Sequence, residues 1–253
     1  MRGVRIKKMG ELAGKAVLVT GGARRIGRGI AVAMARAGAD VAITYRTSAR
    51  EARRTVRELE RLGVRALAVR CDVRSETSVR AAVGAVVRRF GGLDLLVNNA
   101  AVYETAPLEK LTPTQWRRML ESNLVGPYLV TRAALGALRR RRGRVVHLGS
   151  LGGLRPWTTH AHYCASKAAL HMLTRVMAKG LAPEIAVNCV APGMIDMDPA
   201  GKRTRLAVRL AARTPMRRGG RVEDVVAAVM FFATAPEFIT GQVLAVDGGL
   251  ALT

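Results

Sequence analysis

The sequence is poor in acidic residues, in aromatic residues and in cysteine. Its 253 residues include 18 Asp and Glu against 42 Lys and Arg, a formal net charge of +24, and only 4% are aromatic. The three cysteines, Cys71, Cys164 and Cys189, lie far apart without metal-ligand spacing, so we expect free thiols and no metal site. No apolar run approaches the ~20 residues of a membrane span, and the start lacks a signal-peptide core. These absences predict a cytoplasmic protein that does not enter a membrane.

The excess positive charge comes almost entirely from arginine. Seven of the 42 basic residues are lysine, which leaves 35 arginines spread through nearly every predicted helix. A basic balance is typical of nucleic-acid-binding proteins, but the chain has no known nucleic-acid motif and few aromatic side chains. A preference for Arg codons, with the charge simply solvated, accounts for the spread equally well. We therefore do not predict nucleic acid as a partner.

Short apolar runs alternate with helical segments along the whole chain. The runs are rich in β-branched residues and suit strands buried on both faces. The predicted strands are 16–20, 41–45, 66–70, 93–97, 144–148, 185–190 and 243–246. The predicted helices are 30–37, 48–62, 76–90, 114–138 with a break near 126–127, one that contains Tyr163, 198–213 and 222–234. This order predicts an α/β fold: one Rossmann domain over 11–253, with a doubly wound parallel sheet of about seven strands and helices on both faces.

The first ten residues are short and basic. The sequence predicts a flexible tail over 1–10, in which either Met1 or Met9 can be the true start. Residues 151–162 are predicted to form a loop, and Ala191-Pro192-Gly193 is predicted to interrupt the chain after the sixth strand.

A glycine-rich turn follows the first predicted strand and reads Thr20-Gly21-Gly22-Ala23-Arg24-Arg25-Ile26-Gly27. Open amides and the positive end of a helix dipole at such a junction attract a phosphate. Ligands of doubly wound sheets lie beyond the carboxyl ends of the strands. Asp72, Asn98-Asn99, Ser150 and Pro192-Gly193 also fall at those ends. Five separate segments therefore converge on one rim, which predicts a ligand site there.

The candidate proton donor is Tyr163, with Lys167 four residues later. This spacing places both side chains on one face of a helix, one turn apart. A nearby ammonium favours the phenolate and lowers the pKa of the phenol towards the working range. The hydroxyl of Ser150, arriving from a strand end, can hold a carbonyl oxygen against the phenol. The three residues predict acid–base chemistry on a carbonyl group.

Together these residues resemble the short-chain dehydrogenase/reductase superfamily over nearly the whole chain. The matching pieces are Thr20-Gly21…Gly27, Asp72, Asn98-Asn99-Ala100-Ala101, Asn123, Ser150, Tyr163, Lys167, Pro192-Gly193 and Asp247-Gly248-Gly249. The resemblance implies hydride transfer with NAD(P), Tyr163 as the acid or base, and Ser150 orienting the carbonyl. It implies that Lys167 binds the nicotinamide ribose and lowers the pKa of Tyr163, and that Asn123 supports a water-linked proton relay.

The resemblance also implies which residues contact the ligands. The expected cofactor residues are Gly21, Arg24, Arg25, Ile26, Gly27, Arg46, Thr47, Ser48, Asp72, Val73, Asn99, Ala100, Ala101, Tyr163, Lys167, Pro192, Gly193 and Ile195. The expected substrate residues are Ser150, Tyr163, Tyr103 and Trp157. Tyr103 either stacks on a flat ring or only packs. We interpret His160 and His162 as loop residues without a chemical role, and we do not expect Cys164 to act as a nucleophile.

The end of the second strand predicts the choice of cofactor. An NAD-preferring site usually carries Asp or Glu there, which binds both ribose hydroxyls. This chain has Tyr45-Arg46-Thr47-Ser48 and no carboxylate. Arg24, Arg25 and Arg46 can face a 2′-phosphate, to which a guanidinium binds in bidentate geometry. We therefore predict NADP(H).

Two departures from the family pattern bear on the substrate. Arg25 stands at the second glycine of the turn, and Ala101 stands where glycine is more usual. The arginine turn resembles the pteridine reductases, which commonly carry aspartate at the position of Ser150. That serine resembles the 3-oxoacyl-carrier-protein reductases instead. We predict an NADPH-dependent ketoreductase of the 3-oxoacyl-thioester kind, acting on an acyl-thioester or small-molecule substrate.

Two other functions stay open. One is pteridine reduction. The other is a nucleotide-sensing or nucleic-acid-binding protein on the same scaffold, against which the intact Ser150, Tyr163 and Lys167 argue, since a sensor needs no proton donor.

Two surfaces indicate partners. The run Arg139 to Arg142 is either a solvated helix end or, by resemblance to the oxoacyl reductases, a docking site for an acyl carrier protein. A second basic docking position of those enzymes is absent, because Pro183-Glu184 lies there. The helices 124–138 and that of Tyr163 are more apolar than one sheet face requires, and related enzymes are commonly tetramers built on them. We therefore predict a homotetramer of two-fold symmetry.

Overall fold

Seven parallel strands form one sheet in a computed structural model that describes residues 10–197 and 205–253. The strands are β1 (Ala16–Val19), β2 (Asp40–Tyr45), β3 (Ala66–Arg70), β4 (Leu95–Asn98), β5 (Arg144–Leu148), β6 (Ala186–Pro192) and β7 (Val243–Val246). Their order across the sheet is β3-β2-β1-β4-β5-β6-β7. The order reverses between β1 and β4, so the crevice beyond their carboxyl ends is the expected ligand site. The predicted doubly wound Rossmann fold is confirmed.

Eight α-helices of the described residues connect or follow these strands. They are α1 (Arg25–Arg36), α2 (Ala49–Arg61), α3 (Glu76–Phe90), α4 (Pro113–Leu120), α5 (Gly126–Arg141), α6 (Ala161–Leu181), α7 (Arg205–Arg213) and α8 (Val222–Thr234). A π-helical segment, Glu121–Val125, joins α4 to α5. None of the described helices is both long enough and apolar enough to cross a membrane.

The alternation of side chains along each strand builds a core on both faces of the sheet. Val17 and Val19 pack on one face with α1, α2 and α8, whereas Leu18 packs on the other with α3, α5 and α6. All three are almost fully buried. Burying a side chain of this size stabilises a fold by about 1.5–3 kcal/mol. The buried strands therefore fix the positions of the residues that follow their carboxyl ends.

Several predicted boundaries are wrong. Helix α1 begins at Arg25, five residues before the predicted Ile30, because the turn itself leads into the first helical turn. The predicted break of helix 114–138 near 126–127 is confirmed: the π-helical segment lies immediately before Gly126 and Pro127, and only the end of the helix, at Arg141, was predicted too early. Strand β6 continues through Pro192, which pairs with Val246 at the strand end, where the missing N–H is tolerated.

Other expectations are met only in part. The predicted loop 151–162 contains a short 3-10 helix, Leu151–Gly153, and α6 begins within it at Ala161. Of the predicted helix 198–213, the structure shows α7, and residues 198–204 lie outside the described residues. The predicted tail, apart from Gly10, also lies outside them.

Candidate active site

The turn after β1 leaves the N-terminus of α1 open. Arg24 is the N-cap residue and provides no side-chain hydrogen bond, and the first turn of α1 carries no acidic residue. A Cβ added to Gly27 would lie 2.4 Å from the carbonyl oxygen of Gly21, so only glycine allows this close approach. First-turn amides without a capping oxygen, at the positive end of the helix dipole, form an anion site.

Arg25 adopts a strained backbone at this turn. Its φ is +52°, in the left-handed region that glycine tolerates and other L-residues adopt at a cost of about 1–2 kcal/mol. We expect Arg25→Gly to raise the free energy of unfolding of the cofactor-free protein by about 1 kcal/mol. For a chain of this size the melting temperature should rise by roughly 2–4 °C. The matched control is Arg24→Gly, since Arg24 has an extended backbone (φ −148°) with no strain to relieve. Equal or lower stability for Arg25→Gly in thermal unfolding would contradict the expectation.

Thr20 and Asn99 connect this turn to the end of β4. The Thr20 hydroxyl accepts hydrogen bonds from the backbone amides of Asn99 (2.9 Å) and Ala100 (3.0 Å). The Asn99 side-chain amide donates to the carbonyl oxygens of Thr20 (2.8 Å) and Gly21 (3.1 Å). The side chain of Asn99, a predicted cofactor residue, therefore fixes the turn against the neighbouring strand.

A cavity of about 380 Å³ lies beyond the carboxyl ends of β1, β2 and β4. Thirteen of the eighteen predicted cofactor residues line it: Gly21, Arg24, Arg25, Ile26, Gly27, Arg46, Thr47, Ser48, Asp72, Val73, Asn99, Ala100 and Ala101. The other five, Tyr163, Lys167, Pro192, Gly193 and Ile195, are not part of its wall. The wall also contains seven residues that were not predicted: Ala23, Thr44, Tyr45, Cys71, Val102, Ser122 and Met197. Most of these adjoin predicted residues in the chain, which was the available signal.

The wall of the cavity is cationic, with one carboxylate. Asp72 is bound by Arg74, whose Nη2 lies 2.6 Å from one carboxylate oxygen. This hydrogen bond, with the charges of Arg74 and Arg46, lowers the pKa of Asp72 to about 2, although burial acts in the opposite direction. Arg24, Arg25 and Arg46 make no salt bridge within the described part of the chain. Their guanidinium groups are therefore available to an anionic ligand.

Ser150 and Tyr163 meet at the end of β5. A Cβ added to Gly152 would lie 3.5 Å from both Ser150 Oγ and Tyr163 Cε1. Burial raises the pKa of Tyr163, and the Ser150 side chain opposes that rise only in part. The predicted lowering by Lys167 is not found. The Lys167 ammonium lies 5.8 Å from the centre of the Tyr163 ring and donates to the carbonyl oxygen of Leu148 at 2.7 Å. Burial lowers the pKa of Lys167 itself to about 8. In the protein alone Tyr163 is therefore a neutral phenol at pH 7.

Asn123 is completely buried in the π-helical segment. Its side-chain oxygen accepts from the Val102 amide at 2.9 Å, and its side-chain nitrogen donates to the Val102 carbonyl oxygen at 2.9 Å. The same nitrogen lies 3.2 Å from the Ser166 hydroxyl on α6. These contacts tie three segments around the site together. The relay role implied for Asn123 remains a prediction.

Aromatic side chains stand beside Tyr163. The Tyr103 ring packs edge-on against the Tyr163 ring, with centroids 5.1 Å apart, and is 64% exposed. Its hydroxyl bonds to Nε2 of His160, whose ring lies 6.5 Å from that of Trp157. The two predicted substrate residues are thus connected through His160, to which sequence analysis gave no role. Its position depends on the fold of residues 151–160, for which the sequence offers no periodic signal.

The remaining candidates lie away from this chemistry. His162 is not a loop residue but lies in the first turn of α6, fully buried against Trp116. Burial lowers its pKa. Burial raises the pKa of the Cys164 thiol, which disfavours the thiolate that a nucleophile needs. Residues 139–142 form the C-terminal end of α5, which lies at the amino-terminal ends of the strands and so on the opposite side of the sheet's length from Tyr163.

Comparison with known proteins gives a consistent result. A family model described as enoyl-(acyl carrier protein) reductase matches residues 21–251. The 3-oxoacyl-[acyl-carrier-protein] reductase of Staphylococcus aureus is 35% identical over 240 residues, 93% of this chain and 98% of that protein. The 3beta-hydroxysteroid dehydrogenase 1 of Eggerthella lenta is 35% identical over 249 residues, 96% and 95% of the two chains. A crystal structure of a short-chain dehydrogenase from Burkholderia cenocepacia in complex with NADP has a TM-score of 0.89 and 39% identity, covering 95% and 99%.

Proposed function

Because the chain belongs to the short-chain dehydrogenase/reductase family, we propose that it is an NADPH-dependent ketoreductase that converts a 3-oxoacyl thioester to the 3-hydroxy product. The observation that carries this proposal is the proximity of the Ser150 hydroxyl and the Tyr163 ring, which both lie 3.5 Å from a Cβ added to Gly152, beside a cationic cavity. The relatedness to a 3-oxoacyl reductase and to an NADP-bound dehydrogenase supports it. A steroid dehydrogenase of similar identity leaves the substrate to be tested directly.

The residues of the cavity fit NADP(H). The uncapped N-terminus of α1 suits a pyrophosphate, and Arg24, Arg25 and Arg46 suit a 2′-phosphate. Lys167 would hold the nicotinamide ribose, as the family resemblance implies. The cofactor supplies a hydride to the carbonyl carbon when it is bound. Side chains of this chain orient the carbonyl group and donate the proton.

Tyr163 and Ser150 act on the carbonyl oxygen. Both hydroxyls donate to it, and the charge that develops on the oxygen is stabilised by these preorganised donors. Tyr163 keeps its proton at neutral pH because burial raises its pKa, so the proton is available to the alkoxide, a much stronger base. Hydride and proton together convert C=O to CH–OH, and Tyr163 is left as a phenolate to be reprotonated.

The test is NADPH oxidation by the purified protein with a matched panel of substrates. The panel holds an acetoacetyl thioester of coenzyme A, the same thioester on an acyl carrier protein, a simple diketone and dihydrobiopterin. We expect turnover of both thioesters by wild type and a steep fall, to a low but measurable rate, in Ser150→Ala. An inert thioester beside an active diketone would overturn the acyl substrate while leaving the ketoreductase.

Pteridine reduction is the second candidate, and one contact favours it. The exposed Tyr103 ring stands 5.1 Å from the Tyr163 ring, where a flat heterocycle would stack on it. Ser150 argues against this function, as the pteridine reductases commonly carry aspartate there. Turnover of dihydrobiopterin alone would establish it in place of the thioester reaction.

We further propose that the protein assembles as a homotetramer through α5 and α6. Val125 and Tyr128 lie at the start of α5 or just before it, and Met172 and Val176 lie on α6; all four are 40–60% exposed. Exposed apolar side chains of this kind favour burial against a second copy. Sedimentation of the wild-type protein at micromolar concentration should give about four times the 27.2 kDa chain mass.

A single charge at one of these four exposed positions should prevent the assembly of the tetramer. Val176→Glu should sediment as a smaller species, whereas the control Val208→Glu, on α7 and similarly exposed at 53%, should not. A wild-type protein that sediments only as a monomer would contradict the proposal.

The assembly also determines which active site a docked acyl carrier protein could serve. The run 139–142 is at the C-terminal end of α5 and so lies at the amino-terminal ends of the strands, whereas Tyr163 of the same chain lies at their carboxyl ends. A carrier protein docked on this run would therefore serve the active site of another subunit. In the substrate panel, a lower KM for the carrier-protein thioester than for the coenzyme A thioester would support such docking, and equal values would exclude it.

A further inference from the structure

A buried histidine lies one helical turn beyond Lys167. His171 follows Tyr163 by eight residues and Lys167 by four, so the three side chains occupy one face of α6. His171 is only 4% exposed. Neither hydride transfer nor proton donation to the substrate uses it. A buried imidazole at this position needs a reason, because burying an unpaired polar group is costly.

The imidazole contacts the backbone of Ser150 directly. The Ser150 amide N–H donates to Nε2 of His171 at 3.4 Å. The ring fits between two glycines of the same segment. A Cβ added to Gly149 would lie 2.3 Å from Nε2, and one added to Gly153 would lie 2.6 Å from Cε1. The two glycines thus admit the ring, and the ring fills the space that side chains would otherwise occupy.

The imidazole is neutral, as an acceptor must be. Burial, followed by the charge of Lys167, lowers the pKa of His171 to about 4, with Arg175 acting in the same direction and the Gly153 backbone opposing. Cys189 of β6 also borders this space, since its Sγ lies 2.7 Å from the same added Cβ of Gly149. Burial raises the pKa of that thiol to about 12, so it brings no charge. At neutral pH, Nε2 of His171 can therefore accept from Ser150.

We propose that His171 is a positioning residue for the reaction: it anchors the backbone of Ser150 from inside the protein, so that the Ser150 hydroxyl stays against Tyr163. The hydroxyl oxygen is held at the other side by the Gly152 amide, which donates to it at 3.1 Å. The Ser150 carbonyl oxygen accepts from the Gly153 amide at 2.9 Å, so His171 is the partner that holds the Ser150 amide. The catalytic consequence rests on the proposed ketoreductase function, whereas the anchoring itself does not.

The first test is a double-mutant cycle in kcat. His171→Leu removes the acceptor and should lower kcat by roughly tenfold, the effect of one hydrogen bond, with little change in KM for NADPH. His171→Gln offers an acceptor again and should keep most of the activity. In a Ser150→Ala background, His171→Leu should have almost no further effect, because His171 acts through Ser150. Full additivity of the two losses, or an equal loss in His171→Gln, would overturn the proposal.

Thr174→Val is the matched structural control. Thr174 is completely buried, lies on α6 beyond His171, and donates to the Leu170 carbonyl oxygen of its own helix at 2.8 Å. Its loss should leave kcat near wild type, and a fall as large as that of His171→Leu would point to general destabilisation instead. Should His171→Leu fail to fold, His171→Phe, which keeps a flat ring and lacks both nitrogens, takes its place in the cycle.

The second test needs no turnover. Amide hydrogen exchange of a peptide containing residues 149–154, in the cofactor-free protein, should be faster in His171→Leu than in wild type and in Thr174→Val. Unchanged exchange would overturn the anchoring, whatever the substrate. If wild type reduces no member of the substrate panel, the ketoreductase proposal fails, and the exchange result still decides whether His171 holds Ser150.

Discussion

Replacing Tyr163 by phenylalanine should lower kcat by roughly 10²–10⁴ while the affinity for NADPH stays nearly unchanged. The ring is kept, so the edge-on contact with Tyr103 at 5.1 Å survives and the pocket keeps its shape. What is lost is the proton that the alkoxide requires and one of the two donors to its oxygen. Steady-state kinetics and NADPH binding by fluorescence measure the two quantities separately.

The control for this substitution is Tyr128→Phe. Tyr128 is a tyrosine of α5 that is 41% exposed and does not line the cavity, so its hydroxyl should be dispensable for turnover. If Tyr163→Phe turned over within a few-fold of wild type, Tyr163 would not be the general acid. A parallel loss of NADPH affinity would instead indicate that the phenol mainly holds the cofactor.

The sequence predicts the sheet and the catalytic face of α6 because both depend on short-range periodicity. Apolar β-branched runs identify the strands, and a spacing of four places Tyr163 and Lys167 one turn apart. The helix start at Arg25 was missed for a physical reason. Arg24 and Arg25 carry none of the Ser, Thr, Asp or Asn signals that mark an N-cap, and Arg25 takes a left-handed backbone that arginine rarely adopts.

Contacts between distant segments could not be predicted from the sequence. The bond from Tyr103 to His160 spans 57 positions, and that from Ser150 to His171 spans 21 and depends on two flanking glycines. The pKa of Tyr163 is a similar case. A spacing of four indicates that Lys167 is near, but the direction of the pKa shift depends on burial, which exceeds the effect of the Ser150 side chain.

The ratio of kcat/KM for NADPH over NADH should be well above one in wild type and should fall steeply in Arg46→Asp. Arg46 follows β2 directly, lines the cavity and makes no salt bridge within the described residues. A charge-assisted hydrogen bond from arginine to a phosphate contributes about 1.5–3 kcal/mol. Its loss in Arg46→Ala should weaken NADPH by roughly tenfold or more, at ~1.4 kcal/mol per decade. NADH has no 2′-phosphate, so its affinity should hardly change.

Arg46→Asp should go further than Arg46→Ala, because the carboxylate repels the 2′-phosphate and offers the ribose hydroxyls of NADH an acceptor. The matched control is Arg50→Asp, which makes the same charge change at an exposed position of α2 outside the cavity wall. Both substitutions change the net charge equally, so they change the general electrostatic field of the 35 arginines to the same extent. The control therefore separates a specific contact of Arg46 from that general field. A wild-type ratio below one, or equal changes in Arg46→Asp and Arg50→Asp, would show that Arg46 belongs to the solvated positive surface and does not select the cofactor.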